Sequence, residues 1–509
     1  MRLGLVGERV LMPFLSVGSS LLVAIGLLIL TGSGVGTGRS ALPLVLGSGL
    51  LALMAASIMR PALPLFLLLI FVASPFKFTL ELRDSGYVTS ILIGCAAFAA
   101  SVSLYRRKRW ATNPLLGRMA LFAAWGMLSA LYGLQSGNSR EYILGDLFQV
   151  LELVAVFVLV HQLIADTKSI RWLLGTTFAT VLLTTGWQFY LFVQGRAVSE
   201  SSYFYGERGL MGIPRTGNFD AAIVFAVLIC LYPLVKSSLR RLGILFALAY
   251  LLANIVLSFT RGLWLGTLAA MGVALWLTKG PERRKLFRVL LLLALTTVLA
   301  AEAWTMTGGS NRLKLATLLQ ARYRYSFVEM EEWGSGRAGQ VRRLGEVVAI
   351  GEELRHAPLL GKGLGATYPL EGVSPFGDTI TAEEHFVHNL YLAVALRMGI
   401  IGLLAFLWIL LTYVRAAREV VGSLPPGTAR GLAAGFLGAV SCLVVVSMTS
   451  PTLLNHPTAA FAGAAMALTF RVGCLAPSAK AGRRPSSVTS VPTAVGTRAN
   501  LRDTLQDGK

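Results

Sequence analysis

Two separated groups of side chains in this 509-residue chain have the types and spacing for chemistry on a phosphorylated substrate. Arg261-Gly-Leu-Trp-Leu265 puts a cation at the start of one apolar run. His388-Asn389 puts an imidazole at the start of another and is followed, after nine residues, by Gly399-Ile-Ile-Gly402. A guanidinium presents a planar fork of donors that matches two phosphate oxygens at once. The start of a helix adds free amides and positive partial charge. A neutral imidazole can take a proton from a sugar hydroxyl near neutral pH. Each group also has a plainer reading. Arg261 suits an interfacial arginine reaching for lipid headgroups, and His388 suits a helix cap.

Further candidates surround the pair. Asn389 is a supporting residue. Arg208 and Arg215 lie among aromatics in the stretch Tyr203 to Asp220, and Arg337, Arg342 and Arg343 precede the glycine-rich stretch Pro358-Leu-Leu-Gly-Lys-Gly-Leu-Gly365. Arg208, Arg215, Arg337 and Arg342 are candidates for holding a diphosphate; a solvated helix face or an interfacial aromatic belt would place them equally well. The glycine-rich stretch is no Walker A loop, because Gly363 rather than Ser or Thr follows Lys362. It reads as a tight turn. Glu384, His385 and His388 could be metal ligands, but the spacing is no zinc signature, and no metal or cofactor is expected. Asp146, Gln149 and Glu152 share one helix face within an apolar run, which marks a cavity or a buried partner. Arg397 is one such partner, or else it sits at the membrane interface.

The elements that must position these residues are membrane spans. Hydrophobic residues make up 55% of the chain and charged residues 14%, against about 25% charged in soluble domains. Apolar runs long enough for a roughly 30 Å hydrocarbon core recur at about 10–30, 41–59, 62–78, 87–104, 115–134, 143–163, 171–193, 218–236, 241–258, 262–278, 286–304, 389–414, 430–450 and 456–472. The first reads as a retained helix rather than a cleaved leader. The dense cluster Arg106-Arg-Lys-Arg109 turns its loop to the cytoplasm by the positive-inside rule. Alternation then puts 28 of the 46 Lys and Arg, but 6 of the 25 Asp and Glu, on that side. The net charge of +21 is thus an insertion signal in short loops, which argues against nucleic-acid binding. Both termini fall inside, and Arg261 and His388 fall outside. Two long segments, 194–217 and 305–387, are also external, and loops of that length are usually functional. The Ser-, Pro- and Arg-rich tail reads as disordered. The four cysteines look like small core residues without disulfides.

At four places the chain resembles the O-antigen ligase family, which shares its core with O-antigen polymerases and bacterial protein O-oligosaccharyltransferases. These are Arg215-Thr-Gly-Asn-Phe, Ser258-Phe-Thr-Arg-Gly262, His356-Ala-Pro-Leu-Leu-Gly-Lys-Gly363, and His388-Asn-Leu-Tyr with Gly399-Ile-Ile-Gly402. The resemblance covers about residues 140–472. It implies an all-α polytopic protein of about 12–14 transmembrane helices with a long periplasmic loop, like the membrane-embedded C-class glycosyltransferases. Its parts would be N-terminal helices (1–140), a first core part with Arg261 (141–304), the loop (305–387), a second core part with His388 (388–472) and a cytoplasmic tail (473–509). The implied activity is metal-independent transfer of a glycan from undecaprenyl diphosphate at the periplasmic face of the bacterial inner membrane. Arg261 would hold the diphosphate and His388 would act on the acceptor hydroxyl. The acceptor would be lipid A–core, a growing polysaccharide or a protein. The rival from another class is a non-catalytic transporter or flippase of lipid-linked glycans.

Overall fold

The computed structural model describes residues 62–73, 89, 92–102, 112–193, 218–258, 260–306, 340–373, 379–456 and 458–475. The spans expected at 10–30 and 41–59, the segment 194–217 and the tail lie outside these. So do Arg208, Arg215 and Arg337.

Thirteen helices occur among the described residues. They are α1 (Leu63–Ala73), α2 (Leu92–Val102), α3 (Leu116–Gln135), α4 (Arg140–Leu163), α5 (Thr167–Val193), α6 (Asn218–Leu231), α7 (Ser238–Leu257), α8 (Arg261–Leu277), α9 (Gly280–Met306), α10 (Gln340–His356), α11 (Leu390–Ser423), α12 (Thr428–Val446) and α13 (Thr458–Leu475). By length and hydropathy α4, α7, α11, α12 and α13 can each cross a membrane. The chain is an all-α polytopic membrane protein, and every apolar run read from the sequence within the described residues is a helix. Of the span expected at 62–78, the described residues hold α1, which follows Pro61. The long segment adds one element outside the all-α pattern, an antiparallel hairpin. Its strands β1 (Tyr368–Val373) and β2 (Thr379–Glu384) pair Tyr368 with Glu384 and Val373 with Thr379. β2 opens on three β-branched residues in a row, Thr379-Ile-Thr381, which suits a strand.

Helix α12 is the hub. It packs most extensively on α8 and α6, and next on α13. Lipid tails are as apolar as leucine, so such contacts depend on close approach rather than on the hydrophobic effect. Gly262 and Gly266, four residues apart on α8, provide it. A Cβ at 262 would lie 2.0 Å from Thr449 Oγ1, and one at 266 would lie 2.7 Å from the Cys442 carbonyl oxygen. The glycine after Arg261 is therefore a packing residue.

Helix α11 breaks at Gly399, whose φ of 67° and ψ of −174° are non-helical. A break frees carbonyls before it and amides after it, and inside a membrane each must find a partner. The carbonyls of Leu396, Arg397 and Met398 accept from Lys362 N (2.7 Å), Ser129 Oγ (2.6 Å) and Trp125 Nε1 (2.9 Å). The amide of Ile400 donates to the Pro358 carbonyl at 2.9 Å. The glycine-rich turn 358–365 and helix α3 thus supply what the break removes. A Cβ at Gly399 would lie 2.0 Å from the Leu359 carbonyl oxygen. Gly399→Ala should therefore destabilise the protein by more than about 2 kcal/mol, from backbone strain and overpacking together. Gly422→Ala, with open space around it, should not. Thermal unfolding in detergent checks the pair, and equal melting of both variants would contradict the interlock.

Candidate functional site

The two motifs meet at the turn that closes α12. Arg261 is the first residue of α8 and is half-buried. Its neighbour Gly262 lies against Thr449. His388 stands two residues before α11, whose first amide, Leu390 N, donates to the Ser447 carbonyl at 2.9 Å. Tyr391 Oη adds a bond to the Val444 carbonyl at 2.9 Å. Ser447 is fully buried and its Oγ accepts from Leu453 N at 3.1 Å. Thus one short stretch, 444–449, fixes the starts of both helices at the same end of α12.

The two helix starts are not alike. On α11 Asn389 Oδ1 caps the amides of Tyr391 (2.9 Å) and Leu392 (3.2 Å), while Ala393 N reaches the Asn389 carbonyl. Together with Leu390, the first turn is closed by the protein itself. Asn389, expected as a supporting residue, is therefore a cap. On α8 the capping position is Thr260, which makes no side-chain cap bond. There Arg261 sets a positive charge at the positive end of the helix dipole.

His388 is held by residues that the motif does not contain. Glu346 Oε1 accepts from His388 N at 2.9 Å, and Nδ1 of the ring lies 3.3 Å from Oε2. Tyr368 Oη donates to the same carboxylate at 2.9 Å and lies as near the Phe386 carbonyl. Burial alone would push the Glu346 carboxyl up; the His388 ring and amide and the Tyr368 hydroxyl outweigh it and hold it below its ordinary value. The Glu346 side chain is 3% exposed and the His388 side chain 33%. Among the described residues no group bonds His388 Nε2. Sequence reasoning passed over Glu346. Its signal was a carboxylate on the buried stripe of α10, one turn before Ile350, but neighbouring Glu352 and Glu353 read the same way until the helix face is known.

Asp146 and Arg397 do pair, at 2.8 Å. Asp146 also accepts from Gly365 N at 2.8 Å and lies 3.3 Å from His385 Nε2. Arg397 Nη2 donates to the His385 carbonyl at 2.9 Å, and Tyr142 stacks on the His385 ring. His385 and His388 therefore face different carboxylates, and the ligand set of Glu384, His385 and His388 is not assembled. Glu152 belongs elsewhere, 2.9 Å from His456 Nδ1. The glycine-rich turn spends its amides inside the protein: Lys362 N on Leu396, Leu364 N on Ser129 and Gly365 N on Asp146. It is a latch, not a phosphate cradle. Arg342 and Arg343 lie on α10; Arg343 is exposed and the side chain of Arg342 lies outside the described residues.

These features define a polytopic membrane protein with a cation and an imidazole near one helix end. Residues 245–407, which include Arg261, Glu346, His388 and Gly399, match the family described as O-Antigen ligase. That match supports a glycosyltransferase of ligase or polymerase type. Comparison with the curated proteins gives no match.

Two outcomes follow from this geometry. Asp146→Asn leaves the Arg397 charge buried without its counter-ion and should cost about 3–5 kcal/mol, read by denaturant unfolding; a loss under about 1 kcal/mol would mean that Asp146 does not anchor the segment. Glu346, with its lowered value, stabilises the folded state above the ordinary carboxylate value of 4.5 and loses that contribution as pH falls through its folded value. Hydrogen exchange at residues 386–390 should thus stay slow at pH 5 and quicken only below about 4.5; quickening already at pH 6 would contradict the bond.

Proposed function

We propose that this protein is a bacterial inner-membrane glycosyltransferase that moves a glycan from undecaprenyl diphosphate to an acceptor hydroxyl at the periplasmic face. The observation that carries the reading is the convergence of Arg261 and His388 on the turn closing α12. The family match to residues 245–407 supports the class of reaction. The donor, the face and the residue roles are our inference.

Arg261 and the uncapped start of α8 hold the diphosphate. His388 takes the proton of the acceptor hydroxyl. The hydroxyl oxygen attacks the anomeric carbon, the bond from that carbon to the diphosphate oxygen breaks, and the diphosphate leaves with the electron pair. Arg261 stabilises the charge that develops on the leaving group, and preorganised cations of this kind do work that is otherwise done by a metal. Arg215, Arg342, Arg337 and Arg208 are candidates for a second cation there. The acceptor is a lipid A–core sugar, a growing polysaccharide or a protein. The charge distribution supports cytoplasmic termini. The parts of the chain are the helices of 1–140, the two core parts 141–304 and 388–472, the loop 305–387 and the tail 473–509.

The test is transfer by the purified protein in lipid nanodiscs, supplied with undecaprenyl-diphosphate-linked glycan and candidate acceptors. His388→Ala should lower kcat by about 100-fold or more, Arg261→Ala should lower kcat/KM comparably, and a chelator should change neither rate. Full activity in both variants would overturn the reading, as would loss of activity with the chelator.

A further inference from the structure

The roles of Arg261 and His388 leave Glu346 and Tyr368 unexplained. Glu346 is a carboxylate on the buried face of α10, outside the helices that are long and apolar enough to cross a membrane. It sits 42 residues before His388 in sequence, yet takes both the His388 amide and the ring Nδ1. Tyr368, fully buried on β1, donates to the same carboxylate. α10, β1 and the segment leading into α11 therefore converge on one side chain.

We propose that Glu346 is the positioning residue for His388: it fixes the Nδ1–H tautomer and ring orientation, so that Nε2 is the nitrogen that takes the acceptor proton. This rests on the reading of His388 as the base. The argument is one of donor inventory. An ionised carboxylate only accepts, so Nδ1 must carry the hydrogen that faces it. In a neutral imidazole the other nitrogen then has a free lone pair. Nδ1 lies on the buried Glu346 side, and Nε2 has no partner among the described residues. During transfer the acceptor proton moves to Nε2 and the hydroxyl oxygen bonds to the anomeric carbon as the diphosphate departs. The resulting imidazolium is stabilised by the Glu346 charge, and its extra proton then passes to solvent. Glu346 itself stays ionised throughout. Among the described residues the other titratable group touching this arrangement is Tyr368, which donates to the carboxylate rather than to the ring. His385, three residues upstream, is engaged with Asp146 and Arg397.

The experiment compares wild type with E346Q, E346D and H388A in reconstituted transfer, with kcat, KM and the pH–rate profile measured for each. E346Q can donate to Nδ1 and so reverse the tautomer. It should lower kcat by about 10- to 1000-fold, leave the KM for donor near wild type, and move the acid limb of the profile to lower pH. E346D keeps the charge and should recover part of the rate. A second measurement, independent of variant folding, is the nitrogen NMR of histidine-labelled wild-type protein, with the His388 signal assigned by its loss in H388A. The proposal predicts a proton on Nδ1 at neutral pH; a proton on Nε2 overturns it. If H388A is inactive while E346Q keeps the wild-type kcat and profile, this inference fails and the role of His388 survives. If H388A is fully active, the underlying reading fails as well.

Discussion

The site depends on how the end of α12 is tied down. Ser447 is buried, gives its carbonyl to the first amide of α11, and accepts the Leu453 amide on its hydroxyl. Two residues on, Thr449 meets Gly262 on α8, where a Cβ would lie 2.0 Å from its Oγ1. A larger residue at 262 would push away the start of α8, and with it Arg261. A lost bond at Leu390 would loosen the start of α11, and with it His388. The two side chains are 127 residues apart in sequence, so no local feature of either motif could bring them together.

A second constraint acts behind the first. Helix α11 is broken at Gly399, and its orphaned backbone groups are answered by α3 and by the 358–365 turn. Asp146 then locks the turn, Arg397 and the His385 segment into one body. The piece of α11 that follows His388 is short, and it cannot drift along the bundle because both of its ends are bonded. An imidazole on an irregular segment acquires a fixed position in this way, which general-base chemistry requires.

Much of this was legible in the sequence. Apolar runs placed the helices, because a membrane span must satisfy its own backbone and so leaves a long uniform signature. The pairing of Asp146 with Arg397 was one of two readings open from an intramembrane carboxylate, and it is the one found. The glycine motifs were visible, but their meaning was not. Gly262 looked like part of an arginine motif and is a packing residue; the Gly361 to Gly365 run read as a tight turn, and its part as a latch came only with the structure. Glycines report close approach without saying what approaches. Glu346 and Tyr368 were out of reach for another reason. Their contact with His388 is made by the long segment, where neither hydropathy nor charge gives a period strong enough to fix a helix face in advance. The hairpin was missed for the same reason.

The central claim is that Arg261 holds the donor and His388 acts on the acceptor within one site. It is tested most directly by separating donor binding from a single turnover. Binding of a labelled undecaprenyl-diphosphate glycan and the rate of one transfer would be measured in the same nanodisc preparation. The account predicts that Arg261→Ala loses donor binding, whereas His388→Ala binds donor as wild type does and fails to turn it over. Wild-type binding by Arg261→Ala, or wild-type turnover by His388→Ala, would contradict it.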